Sequence, residues 1–410
     1  MTVFTVLLPG CAYRMDRACV PKPVSNGGEL IDLHAPPGSD RPVDSEVFRA
    51  VTNPLQNSNA PLPEGKKQNV LALSGGGMFG AYSVGVLNGW TTTGQRPSFD
   101  VVTGVSTGAI IGTFALLGTE YDNRLCHLYT TINSEDIYRD RPKLSILWSD
   151  STSSSKPLER MLEKEIDDQI IQSVAVAHSQ GKRFYVATTN LDTRRLVIWD
   201  MGAIASSGRP DAAKLYRKII LASAAVPGFF PPVKIDVTIN GRVYSEMHVD
   251  GGAADQVFVR ASLLNVDEDR LKAGQKPLVG TNVYVIVAGK IYADPECTKS
   301  KIKDIAASSL ISLVYSSARN EIDKIYTLSL LTGMKFHLAA LPQEFATKSD
   351  SLDFDRDEMR RLYAEGYRLA TCGQAWQATP PAADPAEQST PRRGTDFLAP
   401  VQSVEIPIRR

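Results

Sequence analysis

Asp100-Val-Val-Thr-Gly104-Val105-Ser106-Thr107-Gly108-Ala109-Ile-Ile-Gly112 is the stretch on which the fold turns. A β-branched run enters a G-x-S-x-G sequence, and an apolar segment rich in Gly and Ala leaves it. Between a strand and a helix that pattern makes a nucleophile elbow, in which the chain reverses tightly and presents the serine at its tip. Ser106 is therefore the candidate nucleophile, with Gly104 and Gly108 as the elbow glycines. The amides beside it face a helix N-terminus, which favours negative charge.

Upstream, Asn69-Val-Leu-Ala-Leu73 reads as a buried strand that runs into Ser74-Gly75-Gly76-Gly77-Met78-Phe79-Gly80. Such a turn exposes successive backbone N–H groups, so Gly75, Gly76 and Gly77 are candidate donors to an oxyanion. Gly75, Gly77 and Gly80 also satisfy GxGxxG, which keeps a dinucleotide site and a plain packing turn open beside the oxyanion site. The dinucleotide reading needs an acidic residue at the end of the next strand. Asp100 has the spacing but opens its strand. No GxxxxGK[ST] sequence occurs, so a P-loop is excluded.

A serine hydroxyl needs a base within hydrogen-bonding reach. The histidines are His34, His127, His178, His248 and His337. Only a late one such as His337 fits the Ser, acid, His order of an α/β-hydrolase triad, and its run Gly333-Met-Lys-Phe-His-Leu reads as a strand with no turn around it. In Tyr244-Ser-Glu-Met-His-Val-Asp250-Gly251-Gly252-Ala253 a strand delivers Asp250 into a glycine turn that another group can approach closely. Asp250 is read either as the base for Ser106 or as the cap of a tight turn, with Gly251 and Gly252 forming that turn.

Short apolar runs at 69–73, 101–102, 184–189, 196–199 and 282–287 alternate with helical spacing at 158–166, 212–221 and 302–331. Apolar strands separated by helices imply a three-layer α/β/α fold with a mostly parallel central sheet. Nine prolines before residue 67 mark 1–66 as an arm, 67–372 as one catalytic domain, and the Pro/Ala-rich 373–410 as a disordered tail. The balance of 45 Lys+Arg against 45 Asp+Glu argues against a nucleic-acid partner. Five scattered cysteines exclude a zinc ribbon and a disulfide scaffold. No His/Asp/Glu cluster has ligand spacing, so neither metal nor cofactor is called for.

Together these residues resemble the patatin-like phospholipase family. The likeness rests on the glycine turn 74–80, the elbow 104–108, the Asp250-Gly-Gly turn and Ala222-Ser-Ala-Ala-Val-Pro-Gly-Phe-Phe-Pro-Pro232, and spans about 69–260. It implies a Ser106–Asp250 dyad without a catalytic histidine, oxyanion donors around Gly76 and Gly77, and hydrolysis of fatty acyl esters of lipids through an acyl-enzyme. Two positions depart from the family: Phe79 stands where many members have arginine, and Ser74 where many have Asp. A lipid acyl ester is the implied partner, with peripheral contact to a membrane. A non-catalytic binding protein of the same fold is the competing reading.

Residues 1–11, Met-Thr-Val-Phe-Thr-Val-Leu-Leu-Pro-Gly-Cys, resemble the end of a bacterial lipoprotein signal. That implies acylation at Cys11 and a place in the cell envelope; the alternative is an ordinary terminus on a cytoplasmic or peripheral membrane protein. Trp148 with the serines of 149–155 reads as a lid or a plain loop. The apolar runs 310–315 and 325–331, on either side of a charged middle, read as one long helix packed on the sheet or as a cap touching lipid.

Overall fold

The computed structural model describes residues 67–142, 148–239, 242–272 and 274–381, with 18–19, 25–26 and 29–30. In chain order the main elements are β1 (Asn69–Leu73), α1 (Gly80–Thr92), β2 (Val101–Gly104), α2 (Thr107–Leu117), α3 (Asp122–Thr131), α4 (Lys156–Glu165) and α5 (Asp168–Ser179). There follow β3 (Arg183–Asn190), β4 (Arg195–Asp200), α6 (Ala212–Ser223), β5 (Val233–Ile239), β6 (Arg242–Asp250), β7 (Asn282–Ile286), α7 (Ile302–Thr332), β8 (Lys335–Ala339) and α8 (Arg356–Thr371).

Eight strands form one sheet in the order β8-β7-β1-β2-β3-β6-β5, with β4 paired to β3. The first five run parallel, while β4, β6 and β5 add antiparallel pairings. Alternate residues of β1 enter opposite cores. Leu71 and Leu73 join the cluster beneath α1, α2 and α8, and Val70 and Ala72 join the cluster on the face of α7. This two-sided burial is why the strand is apolar throughout. The three-layer α/β/α arrangement expected from the sequence is the one observed.

Three local features differ from the expectation. The run 196–199 belongs to an antiparallel hairpin with β3, and its residues are only half-buried. β5 alternates between buried and more exposed side chains, a period-two pattern that a search for continuous apolar runs does not pick up. The domain also extends beyond 372: Gln377 exchanges two backbone hydrogen bonds of 2.8 Å with Leu338, and Trp376 packs against Trp90, Tyr284 and His337. Residues 373–377 are thus part of the folded body. Cys11, nearly all of the arm and 382–410 lie outside the described residues.

The topology places two strand ends face to face. β2 pairs with Arg183 to Val186 of β3, and β6 pairs with Thr188 to Asn190. Both occupy the edge of β3 that β4 does not, because β4 covers residues 185–190 from the other side. β2 runs up to Gly104 opposite Val186, and β6 runs down to Asp250 opposite Thr188. The elbow and the Asp250 turn therefore meet within a residue or two of each other.

Candidate active site

Ser106 sits between β2 and α2 with φ 54° and ψ −123°. A positive φ at a residue with a side chain costs on the order of 1–3 kcal/mol and persists only where the surroundings enforce it. The enforcement is visible. Cβ atoms on Gly104 and Gly108 would overlap the Gly108 and Leu73 carbonyl oxygens respectively, so the elbow closes only with glycine at both places. The Ser106 N–H donates to Ser223 Oγ at 2.9 Å, and Ser223 in turn donates to the Ala187 carbonyl at 2.7 Å.

Asp250 lies within hydrogen-bonding range of the Ser106 hydroxyl. Its amide donates to Ala225 O at 2.9 Å, and one carboxylate oxygen accepts the Gly252 N–H at 2.7 Å. Both side chains are nearly closed off, Ser106 at 6 % and Asp250 at 5 % exposure. Burial pushes the Asp250 carboxyl up to about 6, opposed by its hydrogen bonds with Ser106 and the Gly252 amide. A carboxylate raised toward neutrality is a better proton acceptor than a solvated one.

The glycine turn leaves β1 beside this pair. Gly75 meets the Ser106 side chain, but its N–H is bound to the Gln256 carbonyl at 3.0 Å. Gly75 is thereby corrected: it packs against the serine and has no amide to offer an oxyanion. The Gly76 and Gly77 amides have no acceptor among the described residues. Their φ values of 153° and 55° suit glycine alone, and Ala288 and Ser351 stand where side chains would go. Ser74, in the place of the family's Asp, accepts from the Ala288 N–H at 2.8 Å. Phe79, in the place of the arginine, rests over Gly289.

From the serine an apolar pocket of about 490 Å³, open mouth included, runs between Gly77, Ile110, Leu128, Leu158, Met161 and Phe230. The segment 222–232 supplies Ala224, Val226 and Phe230 to its wall as well as Ser223 to the elbow. Residues 151–154 are tied down there, with the Thr152 and Ser153 amides each 2.9 Å from the Gly228 and Phe229 carbonyls. They make a fixed rim, with Trp148 exposed beside them.

No histidine joins the pair. His248 shares the strand of Asp250 but is fully buried, its ring nitrogens held by Thr188 at 2.9 Å and Glu246 at 3.0 Å. His337 stacks on Tyr284, and burial followed by the Lys335 charge lowers its pKa. It stands three strands from β2, about 14 Å away. Asp100 accepts from the Asn69 amide at 2.7 Å, at the opposite ends of the strands from the glycine turn, where it cannot meet a ribose. Groups of three or more His, Cys, Asp or Glu able to hold a metal are absent among the described residues. Ser223 and Gln256 carry no sequence signal, because their contacts with Ser106, Ala187 and Gly75 are long-range and leave no local pattern.

The fold and its elbow define a serine-centred α/β domain. Residues 71–263 match the family model described as patatin-like phospholipase. The chain carries a domain of that family of lipid acyl hydrolases and has the patatin fold. Comparison with curated proteins gives no match. Among solved structures it is similar to VipD from Legionella pneumophila, at 14 % identity and a TM-score of 0.36, covering 77 % of this chain and 68 % of that one. It is also similar to human GIVD cytosolic phospholipase A2 in complex with methyl gamma-linolenyl fluorophosphonate, at 11 % and 0.30, covering 81 % and 60 %. The type III effector ExoU follows at 14 % and 0.24, covering 75 % and 53 %. Likeness of this degree does not bear on the chemistry.

Proposed function

We propose that the protein cleaves fatty acyl ester bonds of lipids, in the manner of a phospholipase A or lysophospholipase, with Ser106 as nucleophile and Asp250 as its base. The observation that carries the reading is the strained Ser106 backbone held against a buried carboxyl whose pKa is lifted to about 6. Ser106 Oγ attacks the ester carbonyl while its proton passes to Asp250. The developing oxyanion accepts from the free amides of Gly76 and Gly77, each donor being worth about 2.7–4 kcal/mol in the transition state. Asp250 returns the proton to the leaving alcohol. It then takes one from the water that attacks the acyl-enzyme and passes it to Ser106 Oγ as the ester bond to serine breaks and the fatty acid leaves. The acyl chain lies in the apolar pocket beside Ile110 and Leu128.

A fluorophosphonate probe tests the assignment. The wild-type chain takes up one adduct at Ser106, and Ser106→Ala takes up none and hydrolyses no ester. A wild-type chain that is folded yet never labels is a binding protein of the same fold, and the reading is then wrong.

A further inference from the structure

α7 is far longer than the sheet it crosses. At 31 residues it spans about 46 Å, whereas β7 and β8, which it connects, have 5 residues each and span about 17 Å. Its lower end is fixed beside the start of β7, where the Leu278 N–H meets the Thr332 carbonyl at 2.9 Å. The fully covered positions Glu321, Ile322, Ile325, Ser329 and Thr332 all fall in the last twelve residues. The excess length therefore projects from the carboxyl ends of the parallel strands, where Ser106 lies. Tyr315 marks the rim: burial raises its pKa, and Asp294 and Asp350 are near enough to raise it further. The neighbouring Ser351 carbonyl holds the Met78 amide of the glycine turn at 2.8 Å.

The projecting part carries no charge from Ile305 to Ala318. Ile302, Ala306, Leu310 and Leu313 follow the spacing of one helical stripe. Three of them are among the most exposed apolar residues, at 89 %, 63 % and 66 % for Ile302, Leu310 and Leu313. Ile305, Ile311 and Val314 flank them, about half exposed. A helix apolar on most sides is ordinarily buried in something, and here none of the described residues covers it. The serines between are prepared for an apolar medium. Ser309 and Ser312 donate to the Ile305 and Ser308 carbonyls at 2.8 and 2.9 Å, so neither hydroxyl needs water. In the sequence, 296–304 holds Lys299, Lys301 and Lys303 against Glu296 and Asp304, a positive balance that suits lipid phosphates. No described helix is long and apolar enough to cross a membrane, which leaves the interface.

We propose that the N-terminal half of α7 docks on a phospholipid surface through Ile302, Leu310 and Leu313, setting the mouth of the Ser106 pocket against it. The inference rests on the lipid-hydrolase reading for its choice of occupant. The helix settles at the boundary of headgroups and acyl chains, as interfacial helices do, and the lysines meet the headgroups. Substrate then reaches the pocket without passing through water.

Sedimentation of the full chain carrying Ser106→Ala with phosphatidylcholine vesicles, with and without phosphatidylglycerol, provides the test. Adding Ile302→Ser, Leu310→Ser and Leu313→Ser weakens vesicle binding by roughly tenfold or more, while the same three changes in the active chain leave hydrolysis of a soluble short-chain ester unchanged. Unchanged binding in the triple variant overturns the proposal. So does a wild-type dimer that these changes split without touching vesicle binding, since a second copy then covers the face. A fall in melting temperature also overturns it, because the chain's own terminal segments then cover the stripe. If soluble ester is never hydrolysed yet the three changes abolish binding, the catalytic reading fails and the docking stands.

Discussion

Asp250→Asn is expected to destroy turnover and to stabilise the fold. Lifting the carboxyl from 3.8 to about 6 means that the folded chain holds this proton more tightly than the unfolded chain does. Stability is therefore present in full below pH 4 and is lost as pH rises through 6, and the loss for roughly two pH units is about 3 kcal/mol. Asparagine carries no charge to desolvate. Its Oδ1 can still accept the Gly252 amide, and its Nδ2 can face Ser106 Oγ. Urea unfolding of both proteins at pH 4 and pH 8 reads the difference: near zero at pH 4, and of the order of 3 kcal/mol in favour of the variant at pH 8. Turnover of a short-chain ester falls by about 100-fold or more with the base removed. A variant equal to or weaker than wild type at pH 8 would refute the reasoning, since Asp250 would then be an ordinary turn cap with an ordinary affinity for its proton. Retention of most activity would refute the dyad.

The same carboxyl sets the pH profile: kcat/KM falls about tenfold per pH unit below 6 and is flat above it, and a break near pH 4 would place the base elsewhere. Ser223→Ala leaves the buried Ser106 amide and Ala187 carbonyl without their bridging hydroxyl. It should cost about 2 kcal/mol in urea unfolding and lower kcat by loosening the elbow. Met161→Trp narrows the pocket opposite Ile110, and a series of acyl esters should show the preferred chain shortened while acetyl or butyryl ester turnover is kept.

The elbow was legible because its demands are local. Glycine two residues before and two after Ser106, a β-branched strand and an apolar helix are contiguous in the chain, and so is the turn that holds Asp250. That the two turns meet was not legible. It follows from β2 and β6 sharing one edge of β3 end to end, a matter of pairing between residues 82 and about 60 positions apart. The partner of the Gly75 amide is hidden from the sequence for the same reason. Its acceptor is the carbonyl of Gln256, and nothing near residue 75 announces it. The tail boundary moved because Trp376 finds its partners on β7, β8 and α1, whereas composition alone sees only the prolines that follow. In α7 the apolar pattern indicated a helix but could not say which turns the sheet would cover.

Strand ends that meet in this way would also account for the two-residue machinery we propose. A histidine base has to be brought in on a loop and then oriented by a further acid. Here His248, two residues before the aspartate, is locked between Thr188 and Glu246. Asp250 comes directly to the serine on the end of β6, with its backbone fixed by Ala225 and its carboxylate by Gly252. A solvated carboxylate in that position would be a feeble base. Closure by the Asp250 turn and the elbow supplies the missing basicity, because it leaves the carboxyl almost without water. The stability this removes is of the same order as the cost of the strained Ser106 backbone, about 1–3 kcal/mol. Both costs fall on residues braced by the central sheet, so the strained pair sits on the part of the fold best able to hold it.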